Sequence, residues 1–347
     1  MVQIQFLKQK NMIRVLHALI PVLIAAIYFF GWRVAVVLGV SAVCAFCTEW
    51  FMTARRKGKV SYACFVTSSL YALSLPPTVP FWIAAVGAVV AILFAKEAFG
   101  GFGKNIFNPA IVGRAFVYVC FPVEMTSRFV GVFTGLPGGF TQWSFTTLKK
   151  ASIYLADTGI MVADAVTAAT PMWARRDFGY ETNLVSLAIG NIRDTFTFQE
   201  TTRVLAAGSM GETSALALLA AATYLLFTKT AQWRLMLSTV LGAGILNLLL
   251  RTGLGIDTVP PLPFTLLSGA LLYAAVFMVT DPVSAPKQKV SQWFYGFLIG
   301  ALIVFFRYKA VFAGGVGFAI LIGNAFSPSL DLWLKRFQVK KKTGAAA

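Results

Sequence analysis

The sequence predicts an all-α integral membrane protein of about ten transmembrane helices in two inverted five-helix repeats. Three observations carry that expectation. Of 347 residues, 58% are hydrophobic and only 12% are charged, whereas soluble domains sit near roughly 45–50% and 25%. The mean hydropathy is +0.74, and at about 20 apolar residues per span the chain has room for roughly ten crossings. Near the ends of the two halves stand 100-GGFGKNIFNPAI-111 and 314-GGVGFAILIGNAFSPSL-330, both running from a glycine pair to Asn and then Pro. An odd number of helices per half makes such repeats inverted, an arrangement that builds a central site at the bilayer midplane.

Ten apolar runs, each bounded by charges or by Pro and Gly breaks, are the candidate spans. The first two, 12–31 and 34–53, are framed by Lys10, Arg33 and Arg55. The third, 62–76, stops at Pro76 and Pro77, the fourth is 80–98, before Gly100 and Gly101, and the fifth is 107–122. The second half offers 213–228, 233–250, 263–280, 292–306 and 311–333. The third, fifth and ninth are short, which suits broken or tilted helices. The loop between the fifth and sixth is far longer than an ordinary connection, which marks it as functional. The chain therefore divides into residues 1–122, a loop over 123–210, and residues 211–347.

Charge orients the bundle. One side collects Lys8, Lys10, Arg14, the run Arg55 to Lys59, Lys96, Lys104, Lys229, Arg234, Lys287, Lys289 and the basic tail. The short loops opposite offer only Arg33, Arg251, Arg307 and Lys309. By the positive-inside rule both termini are expected in the cytoplasm and the long loop outside, in a multi-pass protein of the bacterial inner membrane. The net charge of +17 is thus read as topology, and no nucleic-acid partner is expected. No cleavable signal peptide stands out, because the first apolar run has no small-residue cleavage site.

Carboxylates near a bilayer are costly, so each invites a functional reading. Glu97 and Asp281 abut Gly- and Pro-broken backbone, whose free carbonyls can join a site for a hard cation. Glu49, Glu212 and Asp331 are balanced between function and ordinary interfacial or helix-terminal roles. Cys44 and Cys47 form a C-x-x-C on one predicted helix without two further ligands, and with Cys64 and Cys120 they read as ordinary buried thiols. The segment GGFGKN fails the spacing of a phosphate loop. A single histidine, His17, leaves no pair to hold haem and no Cys-His or Ser-His-Asp constellation. In the long loop, 164-DAVTAATPMWARR-176 combines two threonines, one carboxylate and small residues ahead of a proline and two arginines.

Several stretches together resemble one family: 66-VTSSLYALSLPPTVPFW-82, 95-AKEAFGGFGKNIFNPAIVGRAF-116, 208-GSMGETSAL-216, 278-MVTDPVSAP-286, 293-WFYGFLIGA-301 and 323-GNAFSPSLD-331. That family contains the NqrB subunit of the sodium-pumping NADH:quinone oxidoreductase (Nqr) and the RnfD subunit of the Rnf electron-transport complex. The resemblance covers nearly the whole chain and implies a urea-transporter-like bundle. It also implies FMN joined through its phosphate to a threonine by a flavin transferase. The family's attachment motif reads roughly D-x-[ST]-[GA]-[AS]-T, and 164-DAVTAAT-170 matches it, with Thr-Ala-Ala-Thr where Ser-Gly-Ala-Thr is commoner. By that match Thr170 is the acceptor and Asp164 and Thr167 are its motif partners, while Arg175 or Arg176 is placed to pair the phosphodiester.

A non-covalent riboflavin near the cytoplasmic side is implied too, with contacts no motif assigns. The family's cation-associated carboxylates align with Glu97, Asp281 and Asp331, on a pathway for Na⁺ or H⁺. The expected function is a membrane flavoprotein subunit of a larger complex, relaying electrons across the membrane coupled to ion transport. The short segment before the first span favours the Rnf ferredoxin:NAD⁺ type over the Nqr type. A channel or secondary transporter on the same bundle is the alternative, and it leaves the DAVTAAT loop unexplained.

Overall fold

The computed structural model describes residues 5–126, 129–133, 135–143, 170–198, 201–309 and 314–344. It is helical throughout, apart from a two-residue parallel pairing of Phe6–Leu7 with Val60–Ser61 and one antiparallel hairpin, Thr195–Phe198 with Thr201–Val204. Five helices are long and apolar enough to cross a membrane: Lys10–Phe30, Arg33–Arg55, Trp233–Gly253, Lys289–Lys309 and Gly315–Arg336. The other candidate spans are shorter or interrupted, and more of them than the three expected from length.

In chain order the bundle helices of the first half are α1 (Lys10–Phe30), α2 (Arg33–Arg55), α3 (Ala63–Leu73), α4 (Phe81–Ile92) and α5 (Pro109–Cys120). A π-helical turn, Leu93–Glu97, extends α4. After a short helical turn at Pro122–Thr126 and a 3-10 turn at Gly138–Thr141 come α6 (Pro171–Phe178) and α7 (Leu184–Ile189). The second half has α8 (Ala215–Phe227), α9 (Trp233–Leu248) with a π turn at Leu249–Gly253, α10 (Leu262–Leu267), α11 (Leu271–Tyr273) with a π turn at Ala274–Met278, α12 (Lys289–Lys309) and α13 (Gly315–Gly344).

The two halves share one packing scheme. In the first, α2 packs on α4 and α4 on α5; in the second, α9 packs on α12 and α12 on α13. Across the halves, α1 meets α8 and α5 meets α13, first span against first and fifth against fifth. Corresponding helices run in opposite directions: α1 leaves the face carrying Lys57, Lys104 and Lys287, whereas α8 enters it. We call that face the basic face and its opposite the loop face.

The glycine–asparagine–proline signatures meet at the centre. Asn108 caps α5, its Oδ1 accepting from Ala110 N at 3.0 Å with Pro109 in the first turn, which is how a helix satisfies its orphan N–H groups. The Asn108 N–H donates to Asn324 Oδ1 at 3.0 Å, its Nδ2 donates to Met278 O at 3.1 Å, and Asn324 Nδ2 donates to Tyr295 Oη at 2.6 Å. Elements from both halves are thus tied by a buried polar knot.

Close helix contact rests on small residues. A Cβ on Gly242 of α9 would lie 2.8 Å from Phe297 Cα, and one on Gly300 of α12 would lie 2.7 Å from Ala243 N. Without side chains there the two backbones approach directly, as membrane helices do when van der Waals packing drives association. The loop segment is seated on the bundle end by Phe133 N donating to Phe29 O at 2.8 Å and Trp32 N to Gln142 O at 3.0 Å.

Candidate functional site

Thr170 stands at the N-terminus of α6 with extended backbone (φ −69°, ψ 159°), followed by Pro171 and closed at the other end by Gly179 in the left-handed region. Its hydroxyl makes no capping bond to its own helix, although threonine in that position ordinarily does. The side chain opens instead onto a cleft at the loop face, which Arg114, Ser209, Glu212, Phe306 and Arg307 also line. Asp164 and Thr167 lie outside the described residues.

Three different local reasons bring these groups to Thr170. Arg114 is on α5, inside an apolar run. Glu212 sits in the turn 208-GSMGETSAL-216 ahead of α8, where its Oε1 accepts from Ser209 N at 2.8 Å. Arg307 ends α12 and reaches the break in the eighth span. Gly269 there has φ +63°, a conformation open mainly to glycine, and the break leaves carbonyls outside the helical ladder. Arg307 takes them, Nη1 donating to Thr265 O at 2.8 Å and Nη2 to Ser268 O at 2.9 Å. Glu212 interacts electrostatically with both arginines. Two guanidinium groups thus line the cleft with the Thr170 hydroxyl, which suits an anionic phosphodiester.

Of the two arginines named from the motif, Arg176 shares the cleft with Thr170 and Arg175 does not. Arg175 Nε donates to Glu181 Oε1 at 2.8 Å and its Nη2 to Asp257 O at 3.2 Å, away from Thr170. Arg176 lines the cleft and is engaged with Asp177 at 2.7 Å.

A second cavity opens at the basic face between the halves. Thr67, Lys96, Asn105, Asn108 and Asp281 supply its polar wall, and Phe102 and Phe277 part of its apolar one. Its amide and hydroxyl groups suit a neutral ligand with several hydroxyls. Pro109 lines this cavity and Arg114 the loop-face cleft, so about 7.5 Å of α5 separates the two at the 1.5 Å rise per residue of a helix.

Asp281 holds its own turn: Ser284 Oγ donates to Oδ2 at 2.7 Å, and the N–H groups of Val283 and Ser284 point at the carboxylate. Glu97 forms an ion pair with Arg56 and is not among the cavity's lining. Asp331 caps the approach to α12, accepting from Lys287 N at 2.9 Å and Gln288 N at 3.3 Å. The three aligned carboxylates share the basic face without converging. Among the described residues no group of three or more His, Cys, Asp or Glu side chains is placed to hold a metal ion.

Charge counting missed a buried cluster. Lys96, read as a topological charge, is 1% exposed and Glu49 is 1% exposed. Lys96 Nζ donates to Glu49 Oε2 at 2.5 Å and to Ser61 Oγ at 2.6 Å, and Ser61 donates through both N and Oγ to Glu49 Oε1. Arg33, read as a loop charge, is also buried, donating to the carbonyls of Pro77, Thr78 and Val79. The signal that could have found Arg114 and Lys96 is their place inside apolar runs, where a charge is costly unless it has work to do. The four cysteines are free, Cys64 buried and Cys47 and Cys120 exposed.

Residues 3–340 match the NQR2, RnfD, RnfE family. The chain is 32% identical over 292 residues to the NqrB subunit of the Na(+)-translocating NADH-quinone reductase of Azotobacter vinelandii, covering 83% of this chain and 63% of that protein. It is 33% identical over 293 residues to the subunit of the same name from Ectopseudomonas mendocina, at the same coverages. The NqrB subunit of Neisseria meningitidis serogroup B is 32% identical over 292 residues, again at 83% and 63%. The chain thus spans a little under two thirds of the length of these relatives. With a family match running across almost all of its residues, the chain belongs to the NQR2, RnfD, RnfE family.

Proposed function

We propose that the chain is a membrane flavoprotein subunit of an ion-translocating oxidoreductase of the Rnf or Nqr class, with FMN esterified to Thr170 and riboflavin in the basic-face cavity. The observation that carries this reading is the Thr170 hydroxyl, uncommitted to its own helix and opening onto a cleft with Arg114 and Arg307. A passive channel has no need of that arrangement.

A bound flavin supplies the one- and two-electron chemistry; the chain supplies the seats. Arg114 and Arg307 hold the phosphodiester, and Arg307 is itself aimed by the carbonyls at the Gly269 break. Thr67, Asn105 and Asn108 provide donors and acceptors for riboflavin, and the one lysine of the wall, Lys96, is already paired with Glu49. Both halves contribute to each seat, so relative movement of the halves would alter the two together.

In the proposed orientation the basic face is cytoplasmic and the cleft lies outside, so electrons given up inside cross along α5. Na⁺ or H⁺ would move past Glu97, Asp281 and Asp331. The named relatives stand on the Nqr side of the family. Proteins that co-purify decide between the two classes: a ferredoxin-like RnfB subunit, or the flavin- and NADH-binding NqrF subunit.

The test of the cofactor reading is flavin fluorescence of the denatured chain in a gel, after expression with a flavin transferase. The parent is expected to fluoresce and Thr170→Ala to be dark. An equally bright Thr170→Ala band would reject the assignment.

A further inference from the structure

The second span of each half opens on the same dipeptide, Trp32-Arg33 at the start of α2 and Trp233-Arg234 at the start of α9. Inversion of the halves puts the first on the loop face and the second on the basic face. At the loop face the chain satisfies the pair itself. Arg33 Nε donates to Pro77 O at 3.0 Å and Nη2 to the carbonyls of Thr78 and Val79, with the guanidinium 4.4 Å from the centre of the Phe81 ring of α4. The Trp32 Nε1–H donates to Phe140 O.

At the basic face the aromatic frame recurs without the acceptors. Arg234 Cζ lies 5.2 Å from the Trp233 ring centre, and that ring meets Trp293 of α12 edge-on at 5.8 Å. Among the described residues neither the Arg234 guanidinium nor either indole N–H has a hydrogen-bond or ion-pair partner in the chain. The approaches to the two helices match as well: 229-KTAQW-233 and 289-KVSQW-293 each place an exposed lysine four residues ahead of the tryptophan. Lysines at a membrane edge set topology, but topology asks for no paired indoles. Nor do these cations serve their helices. The first turns of α9 and α12 hold no acidic residue, and a cation there opposes the helix dipole. The carboxylate nearest in the fold to Lys287, Asp331, is taken by the N–H groups of Lys287 and Gln288.

We propose that Arg234, framed by Trp233 and Trp293, binds the phosphate of an anionic phospholipid in the basic-face leaflet. The planar guanidinium matches phosphate geometry, and indole rings with a free N–H sit at headgroup depth in membranes. Lys229 and Lys289 favour a headgroup of net negative charge over a zwitterionic one. Beyond Trp233 the exposed Leu237, Leu241 and Ile245 follow at four-residue intervals along one flank of α9. They make a strip about 18 Å long, measured from the tryptophan, along which an acyl chain lies.

The test is native mass spectrometry of the full chain, purified in detergent and equilibrated with either phosphatidylglycerol or phosphatidylcholine. The parent is expected to retain a phosphatidylglycerol adduct and to lose phosphatidylcholine. Arg234→Gln is expected to lower the adduct about five- to tenfold, the scale of one interfacial cation, and Arg234→Lys to keep part of it. Trp293→Leu, which removes an indole but no charge, weakens retention too. Arg55→Gln, at an exposed basic-face arginine 4.3 Å from the Phe51 ring centre, leaves it unchanged. The Arg234 variants orphan no partner, so they are expected to elute as the parent does in size-exclusion chromatography. Equal retention of the two lipids, or equal losses in Arg55→Gln and Arg234→Gln, would overturn the inference, because the basic face would then bind lipid without a site. If Arg234→Gln keeps the adduct and instead sheds a co-purifying subunit, the acceptor belongs to a protein and the inference also fails.

Discussion

Lys96 shows at the scale of single residues how a charge can be misread from sequence. It stands near the end of an apolar run beside glycines, where lysines usually set topology, yet it is buried on a π turn against Glu49 and Ser61. Breaking one side of such a pair leaves an unpaired buried charge and costs about 3–5 kcal/mol, whereas replacing both members by well-packed apolar residues is often neutral. Glu49→Gln is therefore expected to lower the thermal midpoint of the detergent-solubilised protein strongly, and Glu49→Met with Lys96→Met to recover most of the loss. Equal losses in the single and double variants would show that the pair is no closed unit. Glu49 itself was legible only as a carboxylate near the membrane. Its partner was not, because two residues forty-seven positions apart share no local pattern.

Helix ends were the most legible part of the elements, because Pro and Gly act on the backbone locally. Pro76–Pro77, Asn108–Pro109 and Asp281–Pro282 fall where helices stop or start. Interruptions inside spans were less so. The three π turns each accommodate one extra residue per turn and leave no compositional mark. The break at Gly269 depends on a single positive φ. Close packing of α9 on α12 yields a prediction at this scale. Gly300→Val places a branched side chain against the backbone of Thr239 and Ala243, so α12 must move away. A loss of folded, monodisperse protein in size-exclusion chromatography is expected, whereas Gly39→Val, with open space around its Cβ position, should elute like the parent. Normal elution of Gly300→Val would mean that the two helices are less tightly apposed than this packing requires.

The whole molecule reads as two related halves with a cavity opening toward each face. Hydropathy and the paired Gly–Asn–Pro signatures conveyed the architecture, since helix count and direction follow from apolar length and charge. The candidate site was half legible. Thr170 could be picked out because the proposed attachment would be specified by a contiguous segment. Arg114, Glu212 and Arg307 could not be joined to it, because they come from both halves and meet only after folding. The central claim is that Thr170 carries FMN through a phosphodiester. Its most direct test is mass spectrometry of the tryptic peptide 151–175 from protein made with a flavin transferase, with fragmentation to locate any adduct. The account predicts the FMN phosphodiester mass on Thr170; an unmodified peptide, or an adduct fixed to Thr167, would contradict it.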